Sequence, residues 1–439
     1  MTSLNSAPTS ERVQIGIFGK VNAGKSSVLN ALTGQEMAVV SAQEGTTTDP
    51  VKKAMELLPV GPVMLYDTPG LADESTLGAK RQQKTAEILR RIDMGLVVVD
   101  ASDKQSRTAL ALERDLIREF QQRQLPYLVI ANKMDRIANA DGVGLRLAGL
   151  LDIEPDDIFP FSCRKDWQEG YTDPLPQKVE GEVNQKGAVF QLREKIAQLG
   201  RRKQAEKKRY LVSDLIEKGD VVLLVIPIDE SAPKGRLILP QQQVIRDILD
   251  SGAVAMAVQP SELTQALEQL QRAPKLVITD SQAFGQVSGL LPEEIPLTSF
   301  SILMARYKGD LGWQATGAKT IDHMEAGARI LISEGCTHHR QCGDIGTVKL
   351  PGWIQEYTGK EFDYHFTSGG EFPGYEEMDY DLIIHCGGCT LPPQEMAWRL
   401  SQAKAAGTAM TNYGTMIAYL HGILERAMEP LKNNFGEQL

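Results

Sequence analysis

Residues 13–26, VQIGIFGKVNAGKS, constrain the fold more than any other stretch of this chain. A β-branched run ends in glycine. Gly19-Lys20-Val21-Asn22-Ala23-Gly24-Lys25-Ser26 then fits the spacing G-x-x-x-x-G-K-[ST], with a helix expected from about Lys25. Glycines let such a loop curl so that several N–H groups face a phosphate, and the helix adds its positive N-terminal end. Lys25 is a compact cation suited to β- and γ-phosphates. The Ser26 hydroxyl, followed by Ser27, is a hard oxygen ligand for Mg²⁺. A loop of this type needs a buried strand on one side and a helix on the other. The neighbouring sequence obliges: VMLYDTPG, GLVVVDA, YLVIANK and IFPFSC read as further strands, with helical spacing over 79–91 and 108–123. Alternating strands and helices imply a doubly wound, mostly parallel sheet.

More of a nucleotide site follows in order. Asp67-Thr68-Pro69-Gly70 ends a strand, where an aspartate can hold Mg²⁺ through water and the Gly70 amide can sense a γ-phosphate. Gly45-Thr46-Thr47-Thr48-Asp49 precedes it. Thr47, or else Thr48, is placed to join the Mg²⁺ only while the γ-phosphate is present, which makes the segment a switch. Asn132-Lys133-Met134-Asp135 selects the base. Asp135 can accept from guanine N1–H and the 2-amine, whereas adenine would leave that carboxylate unpaired. The stem of Lys133 can lie over the base. Ser162 completes the pocket, with Cys163 beside it as a core residue. Each piece alone could be an ordinary strand-end turn; together they predict binding and hydrolysis of GTP. Leu71 stands where a water-orienting glutamine would follow Gly70, so intrinsic turnover should be slow.

The motifs G-K-x-N-A-G-K-S-S, G-T-T-x-D and D-T-P-G resemble the branch of P-loop GTPases that includes Era and TrmE. That resemblance implies that Asn22 helps to hold a K⁺ ion beside the phosphates, replacing an arginine finger electrostatically.

Beyond this region, 164–187 is rich in Pro and Gly and reads as an inserted loop, and 188–199 as the last helix of a domain spanning 1–200. RRKQAEKKR (201–209) is a basic run on a connecting helix, either a solvated face or a partner-binding stripe. DVVLLVIPI and AVAMAVQ are strands of a small middle domain, 201–275, poor in polar constellations and suited to pairing with a second copy. From PKLVITD onward a third α/β domain, 276–439, includes the strands ARILIS and DLIIHC and ends in a tail, LKNNFGEQL. The whole is expected to be α/β in three domains.

Four of the five cysteines lie in that last domain. Cys336-Thr337-His338 follows one strand and His385-Cys386-Gly387-Gly388-Cys389 another. Ligands gather outside the carboxyl ends of parallel strands, so the two pieces can converge. Cys386 and Cys389 have the chelating C-x-x-C spacing. Three uses compete: a buried, non-metal role, a structural zinc site of Cys₃His type, and an iron–sulfur cluster with one iron corner left open. Cys342, His339 and His365 rank as packing or surface residues.

A GTPase head, a small middle domain and a C-x-H…H-C-x-x-C domain together resemble one family over nearly the whole chain: the GTPases of FeFe-hydrogenase maturation, HydF. The resemblance implies a 4Fe–4S cluster on Cys336, Cys386 and Cys389, with His338 and His385 as nearby or alternative ligands. It also implies a scaffold that receives a diiron precursor and passes it to apo-hydrogenase, dimers or tetramers, and radical S-adenosylmethionine maturases as partners. Departures are Cys342 and the segment 164–187.

Bulk properties bear on the competing readings. The net charge of -10 disfavours nucleic acid, and hence an RNA-modification or ribosome-assembly GTPase. A zinc-stabilised GTPase that binds only proteins is the other alternative. No apolar run approaches the roughly 20 residues that span a bilayer. The N-terminus has no signal-peptide core, so a cytoplasmic address is expected.

Overall fold

The computed structural model describes residues 8–34, 51–58, 60–68, 84–103, 105–164, 187–206, 209–228, 237–336 and 344–434. Thr46–Asp49, Gly70, Leu71, His338, His339 and Cys342 lie outside these, as does nearly all of the 164–187 segment. The chain forms two compact units, residues 1–208 and 209–439.

The first unit is built on six strands: β1 (Val13–Phe18), β2 (Val51–Leu57), β3 (Gly61–Asp67), β4 (Met94–Asp100), β5 (Tyr127–Asn132) and β6 (Ile158–Pro160). Their order is β2-β3-β1-β4-β5-β6. All neighbours are parallel except the β2–β3 pair. Strands β1, β4 and β5 are buried on both faces, which explains their continuous apolar runs. Ile15, Ile17 and Val98 face a core with Val28, Leu32, Leu192 and Ile196 from the helices Lys25–Thr33 and Ala188–Glu206. Phe18, Val97 and Val99 face the other core with Ile117, Phe120 and Leu147. β2 is an edge strand whose lysines and glutamate hid it from the apolar-run reading.

The second unit holds two four-stranded sheets, both wholly parallel. One comprises β7 (Val221–Val225), β8 (Val254–Val258), β9 (Leu276–Thr279) and β10 (Leu297–Ser299), in the order β10-β9-β7-β8. The other comprises β11 (Arg329–Glu334), β12 (Asp363–Ser368), β13 (Leu382–His385) and β14 (Ala409–Asn412), in the order β12-β11-β13-β14. In each, the first strand lies between the second and the third. The topology therefore repeats where the sequence shows no repeat.

Two expectations need correction. Residues 276–279 and 297–299 were expected in the third domain, yet β9 pairs with β7 and β10 pairs with β9. The middle sheet thus extends well past 275, because an isolated β7–β8 pair would leave one edge of the apolar β7 uncovered. Residues 431–439 were expected to be a tail, yet Leu431 is wholly buried. With Leu424, Ala427 and Met428 it packs into the core of the β7–β10 sheet. Truncating a fully buried leucine to alanine costs about 2–5 kcal/mol. Leu431→Ala is accordingly expected to lower the urea midpoint of the second unit and leave GTP hydrolysis intact.

Candidate functional site

The loop 19–26 joins β1 to the helix Lys25–Thr33 and is pressed against its neighbours. Gly19 has φ +146°, and a Cβ there would lie 2.3 Å from the Val98 carbonyl oxygen. Gly24 has φ +97°, and its Cβ would lie 2.2 Å from Asn132 Nδ2. Only glycine meets both demands at these positions. Asn22 also takes a left-handed conformation, φ 63°. Lys25 is 8% exposed, and its Nζ donates to the carbonyls of Gly19 (3.0 Å) and Lys20 (2.9 Å). Its ammonium thus sits within the concavity of the loop.

The Ser26 hydroxyl donates to Asp67 Oδ2 at 2.6 Å. Asp67 Oδ1 is buried without a hydrogen-bond partner among the described residues. Burial raises the Asp67 pKa, opposed by Ser26, Lys25 and Lys53. A hydroxyl and a carboxylate side by side, one oxygen unsatisfied, fit a hydrated Mg²⁺.

On the base side, Lys133 Nζ pairs with Asp100 Oδ2 at 2.5 Å, and Ser162 Oγ donates to Asp135 Oδ1 at 2.5 Å. Lys133 is thereby anchored by the last residue of β4. Asn132 is 2% exposed and donates from Nδ2 to the Ala23 carbonyl at 2.9 Å. It ties the phosphate loop to the base loop. Cys163 Sγ lies 3.8 Å from Asn132 Oδ1, and burial, with Asp135 adding, pushes its thiol up to about 11. Sequence reasoning missed Asp100, although an aspartate closing a strand beside the loop was a usable signal. It also missed Glu113, 1% exposed and 3.7 Å from Lys20 Nζ. That glutamate lies in a helix with no motif to mark it.

In the second unit, β11 and β13 are neighbours with Ser333 opposite His385, and the Cys386 amide donates to the Ser333 carbonyl at 2.9 Å. The chain leaves β11 for β12 on one side and β13 for β14 on the other. The crevice between their carboxyl ends is the topological switch point where open sheets bind ligands. Cys336, Cys386 and Cys389 follow these two strand ends. Cys386 Sγ accepts from the amides of Gly335 (3.1 Å) and Gly388 (3.4 Å). Gly388 has φ +61°, which turns the chain between the two cysteines. Burial pushes the Cys386 thiol up to about 12 against those two bonds, with Cys389 and Cys336 adding to the rise. Backbone donors aimed at a buried sulfur suit a thiolate whose charge iron neutralises. No three Cys, His, Asp or Glu side chains among the described residues close around a single ion.

His385 does not serve as a ligand in this arrangement. It is wholly buried; its Nδ1 lies 2.7 Å from the Cys386 carbonyl and its Nε2 2.9 Å from Arg399 Nη1. A guanidinium can only donate, so Nε2 accepts and Nδ1–H donates, leaving no free lone pair. Burial and Arg399 hold its pKa down to about 3. Arg399 itself is wholly buried, pairs with Glu395 (3.4 Å), donates to the Gly369 carbonyl (2.6 Å) and stacks 5.1 Å from the Phe372 ring. Removing one member of a buried pair typically costs about 3–5 kcal/mol. Arg399→Leu is expected to destabilise by that amount in urea unfolding, and Glu395→Leu/Arg399→Met by less.

These features define a P-loop GTPase of the guanine-selective class, joined to a thiol-bearing α/β unit. Residues 14–133 match the family described as 50S ribosome-binding GTPase, 211–309 the hydrogen maturase F dimerization domain and 313–430 the hydrogen maturase F tetramerization domain. The chain belongs to the hydrogen maturase F family. GTPase Der of Sulfurimonas denitrificans is 36% identical over 140 residues, covering 29% of this chain and 26% of that protein. The tRNA modification GTPase MnmE of Cupriavidus pinatubonensis is 36% identical over 139 residues, covering 30% and 29%. This chain thus spans under a third of these curated relatives' lengths. A solved structure of Era with MgGDPNP and nucleotides 1506–1542 of 16S ribosomal RNA is 18% identical, covers 56% of this chain and 92% of that one, and has a TM-score of 0.34. No helix among the described residues is long and apolar enough to cross a membrane.

Proposed function

We propose that this chain is a hydrogenase-maturation scaffold that hydrolyses GTP slowly and carries a 4Fe–4S cluster on Cys336, Cys386 and Cys389. What supports the cluster is that Cys336 follows the end of β11, that Cys386 and Cys389 follow the end of its neighbour β13, and that two backbone amides donate to Cys386 Sγ. A cubane takes thiolates at separate corners, whereas four donors on one zinc stand within about 4 Å of each other. The cluster supplies an open iron corner, to which His338 or a carboxylate from outside can bind. A diiron precursor is the cargo, apo FeFe-hydrogenase the recipient, and the radical S-adenosylmethionine maturases the suppliers. Dimers form through the 211–309 module, and tetramers through the 313–430 module.

In the head, Ser26, Asp67 and Thr47 hold Mg²⁺, Lys25 and the loop amides bind the phosphates, and Asp135 reads guanine. Asn22 holds a K⁺ ion beside the phosphates. Phosphate release is expected to be several-fold faster in KCl than in NaCl, and equal rates would remove Asn22 from that role. The decisive experiment is anaerobic purification with metal and sulfide analysis, followed by electron paramagnetic resonance. Iron with sulfide and a reducible signal supports the reading; one zinc per chain and no iron ends it. Cargo-loaded protein should then activate apo-hydrogenase.

A further inference from the structure

Lys308 is the last residue of the helix Phe300–Lys308 in the β7–β10 module, and it is only 3% exposed. Its ammonium lies against the cysteine turn of the other module, donating to the carbonyls of Gly388 (3.0 Å), Cys389 (2.9 Å) and Leu391 (2.9 Å). An ammonium has three N–H donors, and these carbonyls can take all three. Burying such a cation is costly unless its donors are satisfied. The same helix end is pinned by Arg306, which donates to Asp214 Oδ1 at 3.0 Å and to the Leu211 carbonyl at 3.3 Å. Lys308 is therefore held in place independently of the turn it grips.

We propose that Lys308 is a positioning residue for the thiol site: it fixes the Gly388–Leu391 turn so that Cys389 faces the cluster, and it keeps a fixed positive charge beside it. The inference rests on the cluster reading given above. Three carbonyls around Cys389 pointing at one nitrogen leave that turn little freedom. The charge is also close to the ligand residue itself, since the Lys308 ammonium lies 2.9 Å from the Cys389 carbonyl oxygen. Three thiolates give a 4Fe–4S site net negative charge, and reduction adds one more. A nearby cation stabilises the reduced form more than the oxidised one and so raises the reduction potential.

The test uses the full-length protein, purified anaerobically as the parent, Lys308→Gln and Lys308→Arg forms. Each is assayed for iron content, thermal midpoint and an electron paramagnetic resonance redox titration. Lys308→Gln is expected to fold and to show a midpoint potential shifted to more negative values, with reduced iron content. Lys308→Arg, which keeps the charge, is expected to restore most of both. A folded Lys308→Gln protein with the parent's iron content and potential overturns the proposal, since a merely structural lysine would alter only the melting temperature. Failure of the parent itself to take up iron defeats the cluster reading instead. Should Lys308→Gln not fold, acetylation of the parent protein provides the second measurement. Lys308 is expected to stay unmodified while the exposed Lys319 and Lys404 react, and labelling of Lys308 at their rate overturns the clamp.

Discussion

Alanine in place of Lys25 is expected to slow GTP hydrolysis on the order of 10²–10³-fold, the effect typical of removing one preorganised donor to a developing charge. The side chain is 8% exposed and spans the loop from within, its Nζ about 3 Å from two loop carbonyls. A bound nucleotide would find that cation already desolvated and aimed, so little reorganisation accompanies charge migration onto the leaving phosphate. The fold should survive, because the neighbouring core residues Val28, Leu29 and Leu32 are untouched. Phosphate release under saturating GTP checks the rate, and a thermal melt checks the fold. A folded Lys25→Ala protein within tenfold of the parent rate would mean that the loop does not hold the phosphates. Gly24→Ala should behave similarly for a steric reason, since its new Cβ would meet the Asn132 amide at 2.2 Å and occupy a φ of +97°.

Serine in place of Cys386 should remove nearly all cluster iron, the largest effect expected in the second unit. Cys386 is the sulfur that accepts two backbone amides, and it lies closest to the strand end, one residue past β13. A hydroxyl there is a poorer iron ligand and far harder to deprotonate. Cys163→Ser is the control, since that thiol lies in the nucleotide unit against Asn132 and should leave iron content unchanged. Because burial pushes the Cys386 thiol up to about 12, iron must displace a proton on binding. The thiolate fraction rises about tenfold per pH unit below that value, so cluster assembly on the apoprotein should speed up as pH rises from 6 to 9. Iron-to-protein ratio and initial rates of reconstitution provide the readout. Full iron in Cys386→Ser would exclude this sulfur from the ligand set.

The nucleotide site was more legible in the linear chain than the thiol site, for a physical reason. Phosphate and guanine recognition depends on short runs of backbone and adjacent side chains, so G-x-x-x-x-G-K-S and N-K-M-D carry their geometry within themselves. What they could not carry was the cross-bracing: Asp100 under Lys133, Asn132 reaching back to Ala23, and Lys20 leaning on the helix of Glu113. Those are contacts between residues distant in sequence and carry no shared spacing signal. His385 shows the same limit from the other side. Beside Cys386 it read as a nearby or alternative ligand, but the packing of Arg399 against it, from a helix further on, occupies its ring.

From the order of residues alone came the alternation of strands and helices, the phosphate loop, the guanine motif and the pairing of cysteines with two strand ends. These follow because local spacing sets strand and helix periodicity and because small ligands are read by contiguous loops. Only the tertiary structure decided that β9 and β10 belong with β7, that Leu431 returns to the middle core, that two modules share one strand order, and that Lys308 reaches the cysteine turn. Each of these is a pairing between distant segments. Such pairings are selected by which apolar surfaces and polar groups satisfy each other in space, a condition no local pattern encodes.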